Sequence, residues 1–286
     1  MRVHIAEACG FCYGVRRAVE LASTAEKGTH TLGPIIHNPQ LVNSLSARGV
    51  SPVDSLQDVA DGSKVLIRSH GVGPHVYEEA EAKHLDVVDA TCPHVKKAQQ
   101  DARKVINDKK ALIIVGEKDH PEVISISQWG CNRAIIIDKV EEAKEIPYCE
   151  HMGVVVQTTF SQSRFKQIES VLAEKTDDLD VYMTICTATR QRQEAAVELA
   201  KKVDAMIVIG GKNSANTGRL AQVCAEQGCP TYHVETASEL NVPSACKSSI
   251  ILTTSCIIQS GVEAPAVTPM SLIPRKSATF NSDAVS

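Results

Sequence analysis

The chain has 286 residues, 43% of them hydrophobic and 22% charged, with a formal net charge of -4. Its 30 Lys and Arg residues form no dense run and aromatics make up only 3%, which excludes the basic footprint and the stacking platforms of a nucleic-acid-binding protein. No apolar run approaches ~18 residues, so an ordinary membrane-spanning helix is excluded, and Glu7 comes too early for a signal peptide, which makes the cytoplasm the expected address.

In chain order, the run Val3-His4-Ile5-Ala6 leads to Cys12 and to a helical pattern of Val15, Ala18, Val19 and Ala22 ended by Gly28. Short apolar runs then recur at Val65–Ile67, Ala111–Val115, Ala134–Ile137, Val154–Val156, Ala205–Ile209 and Ile250–Leu252. Each is short and mostly β-branched, which predicts strands buried on both faces. Helical spacing, as in Val95, Ala98, Ala102, Val105 and Ile106, lies between them. Strands alternating with helices predict an α/β protein with parallel sheets.

The residues after the strands carry polar chemistry. They read Arg68-Ser69-His70-Gly71, Gly116-Glu117-Lys118-Asp119-His120-Pro121-Glu122, Gln157-Thr158-Thr159 and Gly210-Gly211-Lys212-Asn213-Ser214-Ala215-Asn216. Open α/β sheets bind ligands beyond the carboxyl ends of their strands, so these ends predict a shared polar site. Turn formation alone explains Gly and Asn but not the His, Thr and carboxylate residues.

Ten cysteines in a chain expected to be cytoplasmic require an explanation. Three share one local setting: Cys12 after its strand, Cys92 after Leu85–Ala90 and Cys186 after Val181–Ile185, each ahead of a helical pattern. The spacings, 92 − 12 = 80 and 186 − 92 = 94, suit one small α/β unit each. They predict a first lobe over residues 1–91, a second over 92–182, a third over 183–267 and an irregular Ser-, Pro- and Thr-rich tail over 268–286. A helix N-terminus favours negative charge and lowers a thiol's pKa, so all three sulfurs are expected to serve as thiolate ligands. Thiolates select zinc, copper(I) or iron–sulfur clusters, and three of them leave one position open for catalysis. The plainer alternative is three buried structural cysteines.

Several nucleotide motifs fail. Gly71-Val72-Gly73-Pro74-His75-Val76 lacks the third glycine of a dinucleotide fingerprint, and Gly210-Gly211-Lys212-Asn213 matches a P-loop only at Gly-Lys. His120-Pro121-Glu122 is half of a zinc-deaminase signature, but no P-C-x-x-C follows.

Taken in order, Gly10-Phe11-Cys12-Tyr13-Gly14-Val15, Ile36-His37-Asn38, Ser69-His70-Gly71-Val72, Asp89-Ala90-Thr91-Cys92-Pro93, His120-Pro121-Glu122-Val123, Gln157-Thr158-Thr159, Cys186-Thr187-Ala188-Thr189 and Lys212-Asn213-Ser214-Ala215-Asn216 resemble the 4-hydroxy-3-methylbut-2-enyl diphosphate reductase (LytB-type) family. The resemblance implies a trefoil of three α/β lobes around a 4Fe–4S cluster held by Cys12, Cys92 and Cys186. It implies reductive dehydroxylation of an allylic alcohol diphosphate to isopentenyl and dimethylallyl diphosphate, with ferredoxin or flavodoxin as the electron donor. By match to family positions, His37, His70, His120, Ser214 and Asn216 line the diphosphate, Glu122 supplies a proton and Thr158 contacts the substrate hydroxyl. Imidazoles suit this because bound phosphate raises their pKa.

Two positions depart from the family pattern. Ala215 stands where many relatives carry a second serine, and the phosphate-binding serine of T-A-G-A-S-x-P falls on Ile257 in one alignment and Glu263 in another. The departure motivates an alternative, a cluster-bearing sensor or scaffold with impaired turnover. A zinc hydrolase using the three thiolates and His120 is the third reading.

Overall fold

A computed structural model of the chain describes residues 2–239 and 248–253. Their strands form three separate four-stranded sheets, parallel throughout. One contains β2 (His30–Leu32), β3 (Ser51–Val53), β4 (Lys64–Ile67) and β5 (Asp86–Asp89) in the order β3-β2-β4-β5. The next contains β6 (Ala111–Val115), β7 (Ile135–Ile137), β8 (His151–Val156) and β9 (Asp178–Tyr182) in the order β7-β6-β8-β9. The last joins β1 (Arg2–Ile5) to β10 (Ala205–Ile209), β11 (Thr231–Val234) and β12 (Ser248–Thr253), ordered β1-β12-β10-β11.

All three sheets follow one plan. The first strand lies inside, the second flanks it at an edge, and the third crosses to the other side. In the last sheet the fourth place is filled by β1 from the start of the chain, paired with β12 from Arg2↔Ser248 to Ile5↔Ile251. The expected α/β class and its quasi-equivalent lobes thus take concrete form as one four-stranded plan used three times.

The β6–β9 sheet shows why these runs become strands. Ile113, Val115, Val154 and Val156 pack on one face with Phe160, Phe165, Ile168 and Leu172, the last three from α7 (Gln162–Ala173). Leu112, Ile114 and Val155 pack on the other with Ala98, Ala102 and Val105 of α4 (Pro93–Asn107) and Val123 and Ile126 of α5 (Pro121–Trp129). Neighbouring residues point to opposite faces, so a strand covered on both sides must be apolar without alternation. The edge strand β9 is only half-buried and tolerates Asp178 and Asp180 because Lys110 bridges both at 2.7 Å.

Two boundaries differ from the sequence expectations. β9 ends at Tyr182, and Thr184 lies beyond it with its hydroxyl accepting from Val156 N at 2.9 Å, so Met183–Ile185 form a connector. α1 (Tyr13–Ser23) stops well before Gly28, because the Thr24 hydroxyl donates to the Glu20 carbonyl and closes the last turn. Residues Cys12–Arg190 form one compact unit, and the described residues before and after them form a second. Among the described residues no helix is long and apolar enough to cross a membrane. The tail 268–286 lies outside the described residues.

Candidate active site

The shared plan delivers the same positions to the carboxyl end of each sheet. Five residues beyond the first strand stand His37 after Leu32, His120 after Val115 and Ser214 after Ile209. The fourth strand of each sheet leads to a cysteine: Cys92 after β5, Cys186 after β9 and Cys12 after β1. Parallel strands end at one edge, so residues placed this way collect at the carboxyl ends, where such sheets bind ligands.

Within the unit Cys12–Arg190, two contacts join the helix of Cys12 to Cys92, and Cys186 is held by residues near Thr158. Cys12 and Cys92 are the N-caps of α1 and α4, and Arg17 of α1 donates to the carbonyls of Asp89, the last residue of β5, and of Thr91 just before Cys92. Gly14 lies against Cys92, where a Cβ would come within 2.5 Å of Sγ. Cys92 N donates to the Ser69 carbonyl, and Cys186 N donates to the Thr158 carbonyl, both at 3.0 Å. Thr189 N and its hydroxyl both meet Cys186 Sγ, at 3.3 and 3.0 Å.

The expected lowering of the thiol pKa does not hold at Cys92. Burial pushes this thiol up to about 11, the Cys12 sulfur and Glu122 add to the rise, and the amides of His94 and Val95 offset it only in part. Desolvation of a buried thiolate outweighs two helix-start hydrogen bonds, so Cys92 needs a cation to become a ligand.

Glu122 is fully buried, and both its oxygens face Thr158. Oε1 accepts from Thr158 N at 2.6 Å and Oε2 from Thr158 Oγ1 at 2.8 Å. Burial raises its pKa to about 7 against those two hydrogen bonds, with a smaller push from Glu117. A carboxyl group placed this way holds a proton near neutrality and can release it.

The three histidines form one cluster. Their ring centroids lie 4.4 Å (His37–His70), 5.7 Å (His37–His120) and 5.6 Å (His70–His120) apart. Burial lowers all three pKa values, to about 4 for His120, and the charge of Arg68 pushes in the same direction. His120 Nδ1 accepts from Glu122 N at 3.1 Å, which assigns the proton of the neutral ring to Nε2. His37 Nε2 and His70 Nδ1 are buried and have no hydrogen-bond partners among the described residues. Orphaned imidazole nitrogens around one point are groups that an anionic ligand satisfies.

Ser214 and Asn216 belong to the other compact unit. Ser214 is the N-cap of α9 (Ala215–Ala225), accepting from Thr217 N, and Asn216 is half-buried in the first turn. The positions of the missing family serine, Ile257 and Glu263, lie outside the described residues. Arg68 and Gly14 escaped the reading of candidate residues. The five-residue offset after each first strand was the available signal for the histidine and serine positions.

Among the described residues, His37, His70 and His120 are the one group of three whose ligating atoms lie within 4.8 Å of one another. The cysteine sulfurs do not form such a group, whereas three sulfurs ~2.3 Å from a tetrahedral ion stand about 3.8 Å apart. Three thiols at strand ends, spaced too widely for one ion and with Gly14 leaving Cys92 uncrowded, fit a polynuclear iron–sulfur group better than zinc.

Fold and relatives together define an α/β oxidoreductase built on parallel sheets. The chain belongs to the LytB protein family, whose model matches residues 3–278. It is 46% identical to the 4-hydroxy-3-methylbut-2-enyl diphosphate reductase of Pelobacter propionicus over 244 residues, 84% of this chain and 87% of that protein. Against the enzyme of the same name from Thermoanaerobacter sp. the identity is 42% over 276 residues, 94% and 93% of the two chains. The solved E-1-hydroxy-2-methyl-but-2-enyl-4-diphosphate reductase of Plasmodium falciparum superposes with a TM-score of 0.85 at 25% identity, covering 89% of this chain and 84% of that one. A second solved structure, (E)-4-hydroxy-3-methyl-but-2-enyl diphosphate reductase, is 40% identical with a TM-score of 0.63, covering 89% and 94%.

Proposed function

We propose that the chain converts 4-hydroxy-3-methylbut-2-enyl diphosphate to isopentenyl and dimethylallyl diphosphate, taking up two electrons and two protons and releasing water. Cys12, Cys92 and Cys186 would hold a 4Fe–4S cluster. When bound, that cluster supplies electrons singly and a Lewis-acidic iron free of cysteine. The observation that carries the reading is the buried Glu122, hydrogen-bonded through both oxygens to Thr158, whose carbonyl in turn holds Cys186.

The chain's own residues divide the remaining work. The Glu122 proton passes through the Thr158 hydroxyl, which accepts it on one side and donates its own hydrogen to the departing hydroxyl on the other. His37, His70 and His120 receive the diphosphate, and its charge reverses the effect of burial so that the rings take up protons as it binds. The neutral ring of His120 already offers Nε2–H as a donor. Ser214 and Asn216 extend the diphosphate set by their match to family positions. The donor of electrons would be a ferredoxin or flavodoxin, and the compartment the cytoplasm.

Anaerobic purification tests the reading. The expected product is a brown protein with about four irons per chain that turns over the alcohol diphosphate with a reduced dye. A colourless protein carrying zinc overturns the cluster. A full cluster without turnover overturns the reductase and leaves the sensor or scaffold that the altered serine position suggests.

A further inference from the structure

Arg68 is the first residue after β4, between that strand and His70. Its Nε is buried and has no hydrogen-bond partner among the described residues. The guanidinium lies over Gly33, the first residue after β2, so closely that a Cβ there would come within 2.5 Å of Nη1. Gly33 opens the loop that carries His37 and has φ +71, a conformation suited to glycine.

The next sheet holds the same arrangement in uncharged form. Gln157 is the first residue after β8, and its side chain lies over Gly116, the first residue after β6. There the pairing is satisfied within the protein: Gln157 Oε1 accepts from Glu117 N at 3.0 Å and Nε2 donates to Thr159 at 3.1 Å. An amide therefore suffices to pin such a loop. In the first sheet the same place holds a permanent cation with an unused donor, in a cluster where His37 and His70 also have unused nitrogens. A structural strap does not require that charge, whereas an anion does.

Resting on the diphosphate reading above, we infer that Arg68 is the permanent cation of the histidine pocket, fixing the substrate's diphosphate and steadying the loop of His37. The charged and titratable groups around it are His37 from the β2–α2 loop, with α2 spanning Pro39–Ala47, His70 from its own loop and His120 ahead of α5. Asp54 and His75 line a cavity of about 230 Å³ together with it. The arginine keeps the pocket cationic while the histidines are neutral, so binding persists above the ordinary histidine pKa of about 6.5.

The test uses cluster-loaded protein, inorganic pyrophosphate as the probe and the variants Arg68→Gln and Arg68→Lys, with thermal melts to verify folding. Arg68→Gln is expected to raise the pyrophosphate dissociation constant and the KM at least about tenfold, with a smaller change in kcat. Its affinity should also fall more steeply with pH than that of the wild type, since only titrating cations remain; the ligand's own ionisation is common to all variants. Arg68→Lys should restore the shallow pH profile while binding less tightly, and it carries the test if the glutamine variant does not fold. Wild-type affinity and pH profile in a folded Arg68→Gln protein, or a lysine variant whose profile steepens, overturn the proposal alone. Wild-type protein that binds no pyrophosphate overturns it together with the diphosphate reading.

Discussion

Among the described residues Glu122 has no cationic partner to hold it ionised; its two hydrogen bonds come from one threonine, and burial raises its pKa from 4.5 to about 7. That shift is on the order of 3 kcal/mol of preference for the protonated form. The stability it contributes is fully present below the unfolded pKa of about 4.5 and is lost as pH rises through about 7. Glu122→Gln, which mimics the protonated group, should therefore melt above the wild type by a margin that grows as pH rises from about 4.5 to about 7 and then levels off, as calorimetry across that range would register. The same variant should lose at least about 100-fold in kcat, and wild-type turnover should decline as pH rises through about 7. Undiminished turnover in the glutamine variant contradicts the proton role. A second residue-scale prediction concerns Gly14: a methyl group within 2.5 Å of Cys92 Sγ displaces the sulfur. Gly14→Ala should bind less iron per chain than wild type, measured by iron analysis after anaerobic reconstitution.

Elements transmit these placements. Helix α4 begins at Cys92 and packs Val105, near its far end, against Gly153 of β8, so the helix that aims the cysteine is seated on the strand that leads to Thr158. A side chain at Gly153 would overlap both Val105 methyl groups. Gly153→Ala should cost about 1–3 kcal/mol of stability by overpacking, read as a lower denaturation midpoint with an unchanged slope. If stability is unaffected, the α4–β8 contact does not seat the helix. At this scale much was legible from sequence. The apolar runs at 111–115 and 205–209 match β6 and β10 end to end, because strands covered on both faces cannot hide a polar residue. The short strands β2 and β3 were not legible: each has three residues, and β3 is Ser-Pro-Val, with no pattern to separate it from a loop.

For the molecule as a whole, diphosphate binding at the histidine cluster, as proposed, would couple to proton uptake. His120 titrates near about 4 rather than 6.5, so the stability it contributes is complete above about 6.5 and is lost as pH falls through about 4. A bound polyanion raises these pKa values, so pyrophosphate binding near neutrality should take up protons and protect the protein most strongly on the acid side. Calorimetry in two buffers of different ionisation enthalpy would measure that uptake; none at all would mean the rings stay neutral around the ligand.

The chain alone determined the α/β class, the three cysteines each set between a strand and a helix, the histidine and glutamate motifs and the family, because short-range spacing records strand ends and the residues that follow them. Tertiary structure decided that β1 completes the last sheet, that Glu122 closes on Thr158 across 36 residues, and that Arg68 sits over Gly33. It also decided the titration: Cys92 was expected to be acidic from its helix start and is raised instead, and all three histidines are neutralised. The reason is desolvation, which depends on every neighbour that excludes water and so appears in no local stretch of sequence.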